Sequence, residues 1–513
     1  MGAITEVALT HVRKIGLGLA RLIPVALVLL LALYLIVSTL RQYCRLRHIP
    51  GPFWSAISKW WLAWSETQGN LYLDVYKVTQ RYGPIARIGP NELVTSDPYL
   101  IKHMTNVRSG YQRSEYFYGM RFDPTKDNVL STRDDNAHTK LRTKMAMGYS
   151  GKEVDNLEPI IDRNILALIH LLETQYILPG KPFDFARKAQ FFTLDAISDI
   201  SYGKPFGFLA NDTDLYSYIA TIEEQLPTIM LTTVYPWIVD VLSSPLFKRL
   251  LPSDKDLIGL GRIRGIVKGI VAERFGPDPK TQKRDMLGSF VRHGLTQEEA
   301  ESEVIMQILA GSDTTATAIR STILRIITNP LVFSRIHTEL ASAGISATNP
   351  PPSEVISDHD SRTKLPYIQA VIKEGLRIHP PVAGLTSKSV PKGGDTWKGV
   401  YLPEGAKVGF GAFGVMRNRQ AFGDDADEFR PERWLNSTTE KLKEMEMTLD
   451  LAFSNGRWQC LGRNVALMEL NKVFVEILRR FDLVVLDPTR PMKTANAGIF
   501  LQSEFWLRGY KRD

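Results

Sequence analysis

A lone cysteine, Cys460, stands in the run Phe453-Ser454-Asn455-Gly456-Arg457-Trp458-Gln459-Cys460-Leu461-Gly462, just ahead of a helix-like stretch from Arg463 to Arg480. A thiol at a helix start meets free backbone N–H groups and the positive end of the dipole, and both favour the thiolate. That is the setting of a metal ligand. Zinc is poorly served, because the second cysteine, Cys44, is remote and no closely spaced histidine pair lies nearby. A small buried apolar residue, the commoner role of an isolated cysteine, stays open at this point.

Two further groupings could do chemistry. Ala310-Gly311-Ser312-Asp313-Thr314-Thr315 interrupts a long helical pattern with weak helix formers whose side chains compete for backbone hydrogen bonds, so a local distortion is expected there. Conflicts of this kind often mark functional sites. A polar stripe or a packing glycine would read the same way. Glu374 and Arg377 stand at i and i+3, on one side of a helix, where they can pair. Most such pairs decorate a solvated surface.

The elements that must hold these residues can be placed. One helix opens at Thr296, with Glu299 three residues on in a capping-box pattern, and runs to Thr328 before Asn329-Pro330. Another starts near Pro366 and stops at His379, where Pro380 and Pro381 forbid continuation. Helical periodicity dominates, and Gly83 to Val94 and Gly399 to Val408 read as strands. No internal repeat is visible.

The chain has 513 residues, 44% of them hydrophobic, which supports a large buried core and excludes disorder. Its 63 Lys and Arg against 55 Asp and Glu give +8, but Arg13, Lys14, Arg21, Arg41, Arg45 and Arg47 share the first 50 residues with a single acid, Glu6. Basic residues flanking an apolar segment serve a membrane, so no nucleic-acid partner is expected. The nineteen residues from Leu22 to Leu40 carry no formal charge and, at about 1.5 Å per residue, nearly span a hydrocarbon core. They read as an uncleaved anchor, because a basic run rather than a cleavage site follows. The expected division is 1–47, an anchor with its transmembrane helix at about 22–40 and a basic flank; 48–57, a stiff proline-rich hinge around Ile49-Pro50-Gly51-Pro52; and 58–513, the catalytic domain. Val234 to Leu251, with Trp237 and Leu242, offers a second surface for lipid.

Taken together the motifs resemble those of the cytochrome P-450 family. Phe453-x-x-Gly456-x-x-x-Cys460-x-Gly462 is similar to its haem-binding loop, and Ala310-Gly311-x-Asp313-Thr314-Thr315 to its oxygen-activation helix. Glu374-x-x-Arg377 resembles its structural pair, and Phe429-Arg430-Pro431-Glu432-Arg433-Trp434 the segment that supplies a third charged partner, Arg433. The resemblance covers Ile49 to Leu507, and the anchor and hinge are similar to those of eukaryotic microsomal members. The cysteine loop looks most like fungal members of the pisatin-demethylase-like group, which serve secondary metabolism. One position departs. Trp458 stands where the family usually has Arg or His to hold a haem propionate, and Arg457 is one place earlier; the indole N–H brings one donor and no charge. His138-x-x-x-Arg142 matches the family's propionate-binding helix.

The resemblance implies a mainly α fold with a minor β-sheet, the cytochrome P-450 fold behind a single N-terminal transmembrane helix, in the endoplasmic reticulum membrane with the catalytic domain cytosolic. It implies haem b, iron protoporphyrin IX, with Cys460 as iron ligand and Phe453, Gly456, Arg457, Trp458, Gly462, Ala310, His138 and Arg142 around the cofactor. Thr314 and Asp313 become the catalytic pair that delivers protons, and Glu374, Arg377 and Arg433 a structural set. A thiolate ligand favours O–O cleavage, so one oxygen atom of O2 is expected to enter an apolar small-molecule substrate. Electrons would come from an NADPH-cytochrome reductase, which carries the NADPH and flavin chemistry and docks on Lys140, Arg142 and Lys144. The substrate walls are expected at Arg108 to Leu130, Phe206 to Leu231, Val382 to Thr386 and Asn496 to Leu501. Two rival functions remain: a haem-thiolate isomerase or dehydratase, and a non-enzymatic haem-binding sensor. Asp313-Thr314 favours the monooxygenase, since neither rival needs a proton relay.

Overall fold

The structure is a computed structural model that describes residues 23–512 apart from 31–32, 35, 248–252, 257 and 277–282. Seven helices carry the argument: α1 (Trp60–Thr67), α2 (Asp135–Tyr149), α3 (Phe185–Tyr202), α4 (Tyr218–Val234), α5 (Gln297–Ile327), α6 (Pro366–Ile378) and α7 (Arg463–Arg480). Helix α5 is the axis of the molecule. Its capping box is formed on both sides, with the Thr296 hydroxyl accepting from Glu299 N at 3.2 Å and the Glu299 carboxylate accepting from Thr296 N at 2.8 Å.

Helices α3, α6 and α7 all pack on α5. Helix α3 is buried on nearly every side, which suits its mixed apolar and small-polar sequence. Two glycines set the closest approaches. A Cβ on Gly311 of α5 would run into Ile197 of α3, and a Cβ on Gly375 of α6 would run into Thr322 of α5. Gly311 is therefore a packing glycine. The expected distortion at Ala310 to Thr315 is absent, for α5 is helical throughout. The polar side chains are satisfied without breaking the ladder, Thr314 Oγ1 donating to the Ala310 carbonyl at 2.8 Å.

A five-stranded sheet lies beside the helices in the order β1-β2-β5-β4-β3, formed by β1 (Ile85–Arg87), β2 (Glu92–Thr95), β3 (Gln112–Arg113), β4 (Lys388–Ser389) and β5 (Lys407–Phe410). Strands β2 and β5 run parallel and the other pairs antiparallel. Strands β6 (Lys493–Ala497) and β7 (Ile499–Ser503) form a separate hairpin whose Phe500 carbonyl accepts from Thr317 of α5 at 3.4 Å. Minor sheets against a helical core are what the sequence pattern called for.

Of the stretch 22–40, residues 23–30, 33–34 and 36–40 are helical, with most of them exposed, and 22, 31–32 and 35 lie outside the described residues. Among the described residues no single helix is long and apolar enough to cross a membrane. The proline segment is docked rather than free. Pro50 O accepts from Arg87 N at 2.8 Å, Leu46 and Ile49 are buried, and the buried Arg87 guanidinium donates to the carbonyls of Gln42, Tyr43, Ala56, Gly89 and Pro90.

Candidate functional site

The Cys460 loop is held from several directions. Cys460 N donates to Phe453 O at 2.8 Å, and Asn455 Nδ2 donates to Thr105 Oγ1 at 3.3 Å. Gly456 has φ +63°, and a Cβ there would collide with the Thr105 carbonyl, so this position demands glycine twice over. Arg142 of α2 donates to Gln459 O at 2.6 Å, next to the cysteine. Gly462 caps α7, where an added Cβ would meet Cys460 Sγ at an ordinary 3.9 Å. Phe453 is half-buried against the core, with Arg463 over its ring.

The Cys460 side chain is exposed, though protein surrounds it on most sides. Burial pushes its thiol up, while the N–H groups of Gly462 and Arg463 and the charge of Arg142 pull it down. The helix start therefore acts in the direction expected, but burial outweighs it.

Along α5, Ala310 is exposed and Gly311 and Thr314 are half-buried, whereas Leu309, Ser312, Asp313 and Thr315 are buried. Ala310 and Thr314, four residues apart, share a face of α5, and that face is left partly exposed. Asp313 turns the other way. Its carboxylate accepts from Gln190 Nε2 of α3 at 2.6 Å, and Arg320 donates to Gln190 Oε1 at 2.7 Å. Burial raises Asp313 to about 6, against the opposing charge of Arg320. A fully buried arginine and a glutamine thus steady the acid from behind; neither is legible in the sequence, because the crossing of α3 and α5 brings them together.

The register of β3 against β4 puts Arg113 directly opposite Lys388, and both cations lie over the Trp458 ring, at 4.0 and 4.5 Å from its centroid. His138 of α2 also packs on this indole, 4.1 Å between centroids. Lys388 Nζ, Arg113 Nε and His138 Nδ1 are buried without partners. Burial and each other's charge lower Lys388 to about 7, and burial with the Arg113 charge lowers His138 to about 3; burial lowers Arg113 to about 9. Like charges facing each other in a buried strand pair repel, so this cluster is arranged for an anion. Arg457 does not join it, for it pairs with Asp135 at 2.6 Å and donates to Val107 O at 2.6 Å.

Glu374 is buried beneath α6 and collects five donors. Arg377 gives two at 2.7 and 2.8 Å, and Arg433 Nε, Trp434 Nε1 and Arg430 N give the rest at 3.0, 2.9 and 2.8 Å. Arg377 spends its remaining donors on the carbonyls of Met416, Ala426 and Glu428. This is no surface decoration, because all three charged side chains are at most 2% exposed.

The four segments expected to wall the substrate meet. Ala383 N and Gly384 N donate to Gly498 O, and a Cβ on Gly498 would strike Met230 of α4, while one on Gly384 would strike the Tyr116 hydroxyl.

The cytochrome P450 family model matches residues 50–504. The chain belongs to that family. It is 41% identical over 490 residues to the cytochrome P450 monooxygenase ABA1 of Pyricularia oryzae, covering 93% of this chain and 95% of the relative. It is 37% identical over 470 residues to the aba1 monooxygenase of Botryotinia fuckeliana, covering 90% and 91%. With the pkfB monooxygenase of Emericella nidulans it shares 32% over 514 residues, 98% of each chain. The chain is accordingly a haem-thiolate monooxygenase, an oxidoreductase that uses O2, an organic substrate and a redox partner.

Haem b is the prosthetic group of this P450, and the residues fit it. An open thiol, an uncovered helix face at Ala310 and Thr314, and buried cations with unpaired nitrogens suit an iron, a flat ring and two carboxylates respectively. Arg113 and Lys388 escaped the sequence reading, because only strand register brings them together. Of the cations assigned to reductase docking, Lys144 is tied to Glu299 at 2.6 Å and Arg142 to the cysteine loop, which leaves Lys140 exposed.

Proposed function

We propose that this P450 hydroxylates or otherwise oxygenates an apolar small molecule of fungal secondary metabolism, at a lipid surface, with electrons from an NADPH-cytochrome reductase. The observation that carries the reading is the exposed Cys460 thiol in its glycine-flanked loop, together with the partly exposed Ala310 and Thr314 face of α5. When bound there, haem supplies the redox centre at which O2 is activated.

The chain's own residues divide the remaining work. Cys460 would ligate the iron, and Arg113, Lys388, His138, Arg142 and the Trp458 face would receive the propionates. Thr314 holds a hydroxyl on the partly exposed face of α5, and Asp313, turned toward α3 and held by Gln190, is the buried acid from which a proton would be relayed. Glu374, Arg377 and Arg433 brace residues 426–434 against α6. Tyr116, Met230, Gly384 and Gly498 bound the substrate. Insertion rather than rearrangement is supported by the Thr314 hydroxyl and by Asp313, an acid that burial keeps within reach of protonation.

Residues 1–47 anchor the protein in the endoplasmic reticulum membrane, leaving the domain on the cytosolic side. Support comes from the uncharged stretch and from exposed Phe53, Trp54, Trp60 and Trp64 near α1, with exposed Trp237 and Leu246 beyond α4. Lys59 Nζ, donating to Val234 O at 3.2 Å, ties these two regions together.

The reduced, CO-bound protein should show the red-shifted Soret band of thiolate ligation, lost in Cys460→Ala and kept in Cys44→Ala. Product should require NADPH and reductase. Turnover of a peroxide substrate without them would favour the isomerase reading instead. Deleting residues 1–44 should release the protein from membranes only in part; full solubility without detergent would remove the aromatic surface as a lipid contact.

A further inference from the structure

Beneath α1 lies a small pocket of about 30 Å³, room for a single hydroxyl-sized group, lined by Leu62, Glu66, Tyr116, Val234, Leu385 and Ser387, with Lys59, Glu92 and Lys407 also on its wall. It adjoins the substrate walls, since Tyr116 and Leu385 belong to both. The other charges on its wall are paired: Lys59 with Glu92 at 2.9 Å, and Lys407 with Glu115, outside the pocket, at 2.6 Å. Glu66 is the exception. It is 1% exposed, and its Oε1 has no hydrogen-bond partner.

A buried carboxyl without a partner destabilises a fold by more than an apolar residue of its size would, and such groups call for an explanation. Burial raises Glu66 to about 8, so at neutral pH it is a carboxylic acid with one donor and one free acceptor. That set is complementary to a hydroxyl or a carbonyl oxygen. The strand alongside repeats the pattern. Asn496 N donates to Gly69 O just beyond α1, and the Asn496 amide is buried with both Oδ1 and Nδ2 unpartnered.

We propose that the pocket beneath α1 recognises the polar end of the substrate, with Glu66 holding a neutral hydroxyl or carbonyl oxygen of an otherwise apolar molecule whose remainder lies outside the pocket along the substrate walls it shares at Tyr116 and Leu385. The proposal rests on the monooxygenase reading and adds to it a substrate class: an apolar skeleton that already carries an oxygen function. It also places a prior oxygenation or an oxygen-bearing precursor upstream of this enzyme.

The test uses full-length holoenzyme with 1-octanol and octane as matched probes, their binding measured by headspace depletion. Glu66→Leu should weaken octanol binding by roughly fivefold to tenfold, the effect of about one hydrogen bond, and leave octane no weaker. Glu66→Gln keeps a donor and an acceptor and should stay within about twofold of the parent for both probes. Equal effects on the two probes, an unchanged octanol affinity in Glu66→Leu, or no octanol binding by the parent would overturn the proposal. The reduced CO band serves as the separate check. If the parent lacks it, the haem-thiolate reading fails; if a variant keeps it, that variant's altered binding is not misfolding.

Discussion

Arg113 and Lys388 face each other across the β3–β4 pair with the Trp458 indole under both guanidinium and ammonium. In this chain the residue two places before the cysteine supplies an aromatic face instead of a charge. The charge arrives from the sheet. A buried aromatic ring attracts each cation by an amount on the order of 0.5–2 kcal/mol, which offsets part of their mutual repulsion and fixes where they point. Lys388→Met or Arg113→Met should each speed haem transfer to apomyoglobin by about tenfold, equivalent to about 1.4 kcal/mol of lost affinity. Trp458→Ala should loosen haem as well, and Trp458→Phe much less. Unchanged transfer rates would remove the sheet cations from the cofactor site.

Among the described residues Glu374 is the sole carboxylate that meets Arg377 and one of two that meet Arg433. Truncating it leaves the buried Arg377 guanidinium without a carboxylate, an effect of about 3–5 kcal/mol, which is a large part of a typical folding stability of about 5–15 kcal/mol. Glu374→Ala should yield little folded protein and no CO-difference band at 37 °C. A variant with normal yield and melting temperature would show that the backbone carbonyls around Arg377 suffice.

Glu303 of α5 accepts from Val129 N at 2.7 Å and is buried; burial raises it from 4.5 to about 8. A carboxyl raised in the folded state binds its proton more tightly there than in the unfolded chain, so it favours folding in acid. Its contribution is complete below the unfolded value and is lost as pH rises from about 4.5 toward 8, by up to about 1.4 kcal/mol per pH unit. Glu66 and Glu469, raised to about 8 by the same cause, add to the slope. The melting temperature should fall between pH 5 and 8, and Glu303→Gln should reduce that fall. An identical pH slope in the variant would mean that Glu303 is ionised in the folded protein.

Local rules were strong enough to place α5, α6 and α7 closely, because Thr296, Pro366 and the glycines before Arg463 are boundary signals that need no tertiary information. The Cys460 loop was legible for the same reason. Spacing alone leaves the Glu374 and Arg377 pair ordinary; the resemblance added Arg433, and the structure adds the Trp434 indole as a further donor to Glu374. Arg113, Lys388, Gln190 and Arg320 depend on register and helix crossing, which single-chain periodicity does not encode. The distortion expected at Ala310 to Thr315 failed because propensity was weighed without α3, whose Gln190 takes up Asp313 and whose Ile197 needs the space at Gly311.

Thr314 offers the sharpest test of the distal site. Its hydroxyl donates to the Ala310 carbonyl at 2.8 Å, on a partly exposed face of α5. To donate toward substrate oxygen chemistry it must rotate off that carbonyl, which leaves Ala310 O with its ordinary helical hydrogen bond and so requires little energy. Thr314→Ala should therefore keep the fold within about 0.5 kcal/mol, with haem content and the CO band unchanged. What it removes is a positioned proton donor, of a kind that contributes roughly 10²–10⁴-fold in rate. NADPH consumption should continue while product per NADPH falls steeply and hydrogen peroxide accumulates in its place. Thr314→Ser retains the hydroxyl and should recover most of the coupling. Unchanged coupling in Thr314→Ala would reduce Thr314 to a residue that back-bonds its own helix, and proton delivery would then have to be sought along Asp313 and Gln190 alone.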